Sequence, residues 1–242
     1  HAMFKIADIV VCPTFASKEY IYNYNTSVHI SFDYFEDDIA IRKSNFNPKK
    51  PLILVWEGMG VTAKHILNIA PVLEKFKGKV KLRLITDKSY KLGGLLTVDV
   101  KQLFNKARFD YEFFDWEKET FSSLIAESDV AIIPLNKSDI LAYQKPENKL
   151  ILFWQHGLPT ITSNTPAYVN AFSKIDLNLT CENHNDWVRN IEYFLSKKFD
   201  YDVHMESVDE YLTQYRSRDC FMRVWDEIFL DALHLKERLN SY

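Results

Sequence analysis

The sequence predicts an α/β domain in which a parallel sheet carries helices on both faces, a Rossmann-like arrangement. Between about residues 52 and 163, short apolar runs alternate with stretches of helical periodicity at intervals of 20 to 30 residues, the rhythm of βαβ units. One run, Val130-Ala131-Ile132-Ile133, is apolar throughout, as a strand buried on both faces must be. The 242 residues are 47% apolar and 26% charged with a net charge of −3. That composition suits a soluble globular chain of one large domain, or one and a half ordinary ones, and excludes a wholly disordered one.

His1-Ala2-Met3 reads as a cloning remnant and stands outside the fold reasoning. Residues 4–50 hold a strand, Ile9-Val10-Val11, a short helix near Ser17 to Tyr24, and a strand around Val28 to Phe32. An acidic stretch from Asp33 to Asp38 and a polar linker, Lys43 to Lys50, follow. Pro51 introduces the strand Leu52 to Trp56, and Glu57-Gly58-Met59-Gly60 turns it into a helix over 62–76, carried by Ile66, Ile69, Ala70, Leu73 and Phe76. Val80 to Ile85 alternates like a strand with one wet face. A helix near Val98 to Ala107, the strand Tyr111 to Phe114 and a helix marked by Phe121, Leu124 and Ile125 lead to Val130–Ile133. A helix from Pro146 to His156, ended by Gly157, precedes the strand Pro159 to Thr162. Val208, Tyr211, Leu212, Tyr215, Met222, Trp225, Phe229 and Leu233 form a last amphipathic stripe, as one long helix or two. The domain organisation expected is 4–50, a Rossmann-like domain over 51–204, and a helical segment over 205–242.

Several function classes fall away. A pI near 6.2 leaves no basic footprint for nucleic acid. No apolar run approaches the roughly 20 residues of a membrane span, and no signal peptide opens the chain. Cys12, Cys181 and Cys220 are few, odd in number and far apart, which points to reduced thiols in the cytoplasm rather than to disulfides or zinc. His65, His156, His184 and His204 lack ligand spacing and read as structural, and no G-x-S-x-G is present. Asp37-Asp38 with Asp33 and Glu36 reads as a solvated acidic loop before a carboxylate pair.

Parallel sheets bind ligands beyond the carboxyl ends of their strands. Those ends carry Glu57-Gly58-Met59-Gly60, Thr86-Asp87-Lys88, Asp115-Trp116, Pro134-Leu135-Asn136 and Ser163-Asn164-Thr165. Only six glycines occur, against about 7% in average usage, so the pair Gly58 and Gly60 stands out. Glycines before a helix start, with Lys64 in its first turn, suit the approach of backbone amides to a phosphate; a plain tight turn explains them too. Neither G-x-G-x-x-G nor the P-loop pattern is present, which weakens a nicotinamide-dependent oxidoreductase reading. Pro146 at the first helical position would leave Lys145, a poor capping residue, as the N-cap. Lys145 and Lys149 with the helix dipole would then make a diphosphate cradle; solvated surface charges beside Glu147 are the competing reading.

Three segments then become familiar: Ser128-Asp129-Val130-Ala131-Ile132-Ile133-Pro134-Leu135, Lys145-Pro146-Glu147-Asn148-Lys149-Leu150, and Gly157-Leu158-Pro159-Thr160-Ile161-Thr162-Ser163. Together they resemble the C-terminal, donor-binding domain of glycosyltransferases of the GT-B fold. Leu54 to Gly58 looks like the first βα unit of that domain. Ala7 to Thr14 looks like the last strand of the family's N-terminal domain, so the resemblance covers roughly 5–230.

The resemblance implies a transferase, or its donor-binding half, that moves a sugar from a nucleotide-sugar to a glycan or lipid-linked acceptor without a metal or other cofactor. The diphosphate would rest near Gly58, Met59 and Gly60 and on the start of the Pro146 helix, with Gln144, Glu147 and Asn148 around it. Lys145 and Lys149 would act as the catalytic cations and Lys64 would assist. The nucleoside would lie across Asp87, Asp115, Trp116, Pro134 and Leu135. The final helical segment would pack back toward the N-terminal part, and an N-terminal domain of the same polypeptide would supply the acceptor site. The setting implied is polysaccharide assembly in the cytoplasm, with peripheral association at the inner face of the cell membrane. Many retaining members carry two glutamates eight positions apart, where this chain has Gln144 and Leu152. Met59 replaces their usual arginine. Stereochemistry stays open, and a non-catalytic nucleotide-binding or scaffold module is the alternative.

Overall fold

The computed structural model describes residues 1–34, 39, 41–48, 50–93, 95–196 and 198–240, with 235–240 as backbone only. Glu36, Asp37 and Asp38 of the acidic stretch lie outside the described residues. The N-terminal portion begins with a short helix, Ala2–Ile6, that takes in the expected remnant. It continues with β1 (Val10–Cys12), a helix Phe15–Tyr22 and β2 (Val28–Ile30). β1 and β2 pair in parallel over a small core of Val10, Cys12, Ile21 and Val28.

The main body follows as β3 (Leu52–Glu57), β4 (Val80–Thr86), β5 (Ser89–Leu92), β6 (Leu96–Asp99), β7 (Tyr111–Asp115), β8 (Val130–Ile133), β9 (Thr160–Ser163) and β10 (Thr180–Cys181). Six of these form one parallel sheet in the order β7-β4-β3-β8-β9-β10. The first strand of this series lies mid-sheet and the order reverses on either side of it, which creates a crevice at the carboxyl ends of β3 and β8. Leu54 faces Leu82 on one side and Val130 on the other. All five residues of Leu52–Trp56 and all of β8 are buried, because helices cover both faces.

Four expectations need correction. β4 is wet only at Lys81: Arg83 is 7% exposed and bonds Glu112, its register partner on β7, at 2.8 Å and the Leu124 carbonyl at 2.8 Å. A charge at an alternating position is therefore inside, with a partner one strand away. The helix over 62–76 is a 3₁₀ segment, Gly60–Ile69, followed by an α-helix, Ala70–Lys75. Pro71 lacks an amide hydrogen and crowds the preceding turn, so one continuous α-helix cannot run through it. The stretch 98–107 is mostly not helical; β5 and β6 make an antiparallel hairpin across Gly93, whose φ is +59°, and only Val100–Leu103 makes a helical turn.

The fourth correction concerns the helix near the site. It spans Asn148–Gln155 with Glu147 as N-cap, and a separate turn, Ile140–Tyr143, precedes it. Pro146 therefore precedes the cap and does not open the helix. The cap lies at Glu147 because its carboxylate turns into the interior to meet Arg216.

The terminal stripe resolves into two helices, Tyr201–Arg216 and Arg218–Asn240, broken at Ser217, whose ψ of 157° is extended. The boundary placed at 204/205 thus falls inside a helix. Helices Pro166–Phe172 and His184–Leu195 and the strand β10 escaped the sequence reading, although Asn183 and Asp186 form a capping box at the start of the second. Gly157, at φ +71°, ends Asn148–Gln155 with the linker packed on it: a Cβ there would lie 2.3 Å from the Lys43 carbonyl. Tyr201 seals the junction by donating to the Lys43 and Gly157 carbonyls. Among the described residues no helix is long and apolar enough to cross a membrane.

Candidate active site

A cavity of about 330 Å³ opens at the crevice between β3 and β8. Its walls are apolar where the strands end, at Trp56, Ile133, Pro134 and Leu135, with Tyr168 closing the far side. Its polar groups are Thr62, His65, Lys145, Asn148 and Lys149. An apolar pocket with a few convergent polar groups at a topological switch point is the usual form of a ligand site. The loop after β8 is held by Ser163 at the end of β9, whose hydroxyl accepts the Leu135 amide at 2.8 Å.

Sequence places Lys149 one turn inside a helix, and the fold directs it across the crevice. Its ammonium donates to the Glu57 carbonyl, lies 3.4 Å from the Glu57 carboxylate and stands 5.0 Å from the Trp56 ring centroid. Burial lowers its affinity for the proton, while Glu57 pulls in the opposite direction. Gly58 is small for this reason: a Cβ would come 2.5 Å from the Lys149 ammonium and 3.0 Å from the Trp56 ring. Lys145 is exposed at the mouth with no ion pair among the described residues. The helix that carries Lys149 has no side-chain cap, so its first-turn amides and dipole stand at the cavity wall beside Pro146 and Asn148.

The glycine turn is more occupied than its sequence suggests. The Gly58 amide bonds the Ile85 carbonyl at 3.2 Å, and the Gly60 amide bonds Asp87 Oδ2 at 3.2 Å. Gly60 also admits the hairpin and the turn after it, since a Cβ would lie 3.3 Å from Tyr90 of β5 and 2.7 Å from Val100. Met59 is 63% exposed, and neither it nor Lys64, also exposed, lines the cavity.

The β4–β7 edge forms the other part of the predicted site. Asp115 pairs with Lys88, and its Oδ1 is buried with no partner among the described residues. Trp116 is 46% exposed, with its ring 5.8 Å from Phe121. Gln144 ends the turn Ile140–Tyr143 and does not line the cavity. Asn148 lines it and donates to Asp33 of the N-terminal portion.

Glu147, placed by sequence among the donor contacts, is 2% exposed and points away from the cavity. Arg216, 4% exposed, donates to it and to the Tyr211 hydroxyl at 2.8 Å, and stacks 4.0 Å from the Phe32 ring centroid. Burial raises the Glu147 carboxyl and Arg216 pulls it back. Sequence reasoning placed Glu57 at this edge of the sheet but missed Trp56, Tyr168 and Arg216 as parts of the region. The position of Trp56 at the end of the first strand was the available signal; Arg216 had none. Among the described residues no three His, Cys, Asp or Glu side chains gather as a metal site, and the three cysteines are free.

No family model matches the sequence, and no curated protein matches it in sequence. Solved structures do match. A glycosyltransferase from Rickettsia africae aligns with a TM-score of 0.69 at 15% identity, over 93% of this chain and 63% of that one. A variant of S. aureus TarM, solved with fondaparinux, α-GlcNAc-glycerol and UDP, aligns at 0.68 and 13%, over 94% and 45%. Anabaena HepE with UDP-glucose aligns at 0.64 and 10%, over 98% and 64%. The chain thus spans between about half and two thirds of the structures it matches. At these identities the likeness is one of fold, and the sheet with its flanking helices is the Rossmann-like domain of the GT-B fold.

Proposed function

We propose that the chain binds a nucleotide-sugar and serves as the donor half of a glycosyltransferase. One observation carries this reading: an uncapped helix start and the Lys145 and Lys149 ammoniums meet in one cavity at the switch point of the sheet. That combination suits a diphosphate. The partly exposed Asp115 side chain beside exposed Trp116 at the end of β7 suits the nucleoside, and the fold neighbours crystallised with UDP and UDP-glucose support the ligand class.

In the reaction, the acceptor hydroxyl bonds the anomeric carbon of the sugar as the bond from that carbon to the diphosphate breaks; the hydroxyl proton passes to the departing nucleotide or to water, and charge develops on the departing nucleotide. Fixed amides and the two lysines stabilise that charge where a metal would serve elsewhere. The acceptor is a glycan or a lipid-linked sugar, bound by an N-terminal domain of the same polypeptide, with assembly in the cytoplasm at the inner face of the membrane. Gln144 and Leu152 provide no carboxylate at the two positions where retaining relatives carry glutamates. That absence favours one second reading, a nucleotide-binding module without transferase activity.

Calorimetry against UDP, GDP, dTDP and CMP, with and without EDTA, tests the proposal. Binding of at least one nucleotide, unchanged by EDTA and lost in the Lys145→Ala/Lys149→Ala double variant, is expected. Absence of binding to all four at millimolar concentration would overturn it. Transfer by the full-length protein separates the transferase from the silent module.

A further inference from the structure

His65 looked structural in the sequence because it is isolated, yet the fold places it in the cavity wall beside Lys145 and Lys149. It is 5% exposed, on the 3₁₀ segment that follows the glycine turn. The backbone N–H of Asn136, in the loop after β8, donates to its Nδ1 at 3.2 Å. An imidazole that accepts at Nδ1 carries its proton on Nε2 and cannot gain a second without losing that bond. Burial keeps the ring below its ordinary pKa; Lys64, Lys145 and Lys149 add to this, with Asp139 opposing. The ring lines the cavity, and Nε2 makes no hydrogen bond among the described residues. The result is a neutral N–H donor, fixed in direction, between apolar walls. Such a group is stabilised only when an acceptor reaches it.

We propose that His65 binds the donor directly, its Nε2–H donating to an oxygen of the phosphate nearer the sugar. This rests on the proposed function. With the nucleoside across the ends of β4 and β7, the phosphates lead toward the crevice between β3 and β8, and the distal one arrives at His65. A neutral donor there orients the phosphate without adding a third positive charge next to the two lysines.

The test is calorimetry with wild type, His65→Phe and His65→Gln. The probes are whichever of UDP, GDP and dTDP the wild type binds best, and the matching monophosphate. His65→Phe weakens the diphosphate roughly tenfold or more and leaves the monophosphate within about twofold, as loss of one hydrogen bond to a charged oxygen requires. His65→Gln, which keeps an N–H donor, recovers part of the loss. The imidazole ¹⁵N spectrum of wild type shows the Nε2–H tautomer, and its Nε2 signal moves with the diphosphate but not with the monophosphate. Equal weakening of both ligands means a merely structural histidine and overturns the proposal, as does unchanged diphosphate binding by His65→Phe while wild type binds. If wild type binds none of the nucleotides, the donor reading falls and this assignment falls with it.

Discussion

Replacing Arg216 by methionine strands the Glu147 carboxylate in the interior. Arg216 and Glu147 are 4% and 2% exposed, so water cannot replace the lost guanidinium, and Glu147 Oε2 already lacks a partner among the described residues. Removing one member of a buried pair costs roughly 3–5 kcal/mol. The Tyr211 hydroxyl loses its donor and the Phe32 ring its cation in the same substitution. For a chain of this size, about 2–4 °C of melting temperature accompanies each kcal/mol, so the variant melts about 10 °C or more below wild type. The deficit depends on pH in a defined direction. An unpaired buried carboxyl has a raised folded pKa, so the deficit is largest at neutral pH. It shrinks as pH falls toward the unfolded value of 4.5. Adding Glu147→Gln to Arg216→Met removes the charge and recovers most of the loss. Urea denaturation of the two singles and the double at pH 7 and pH 5 measures the cycle. A deficit below about 1 kcal/mol for Arg216→Met at pH 7, the range of an exposed ion pair, would refute the assignment of Arg216 as the buried counter-charge of this helix start.

Gly157→Ala combines a left-handed backbone with a Cβ 2.3 Å from the Lys43 carbonyl and costs about 2–4 kcal/mol in thermal or chemical denaturation. His204 is 2% exposed with both ring nitrogens unpartnered among the described residues, and burial holds its pKa at about 4 against 6.5. Its contribution is therefore present above pH 6.5 and lost as pH falls toward 4. Wild type loses about 2 kcal/mol relative to His204→Leu between pH 7 and pH 5, read from paired urea curves. Gly58→Ala pushes the Lys149 ammonium off the Trp56 ring and weakens nucleotide binding by calorimetry while the fold, followed by circular dichroism, persists.

The sheet was legible because β3 and β8 are apolar runs whose burial follows from composition, and because β4, β7 and β9 recur between helical stretches at regular intervals. β10 was not, since Thr180–Cys181 is two residues long and carries no periodicity. Pro71 announced a break that the apolar spacing around it concealed. The edge of the sheet that holds the cavity followed from strand direction, and with it the placement of Lys145, Lys149, Pro134 and Leu135. What sequence could not supply were partners distant along the chain. Lys149 meets Glu57, Glu147 meets Arg216 and His65 meets Asn136 only because the crossovers bring those segments together. The Glu147 assignment failed on that point: a carboxylate beside a helix start is drawn to the nearest buried guanidinium, here 69 positions away.

Lys149 and Glu57 form a closed electrical circuit before any ligand arrives. An incoming anion does not fall onto a waiting bare cation; it must compete with a resident carboxylate for the same ammonium. Small inorganic ions, which offer little beyond their charge, gain least from such an exchange. A larger ligand can offset the cost of loosening the circuit through the apolar walls and the first-turn amides, so discrimination comes from the whole molecule rather than from its charge.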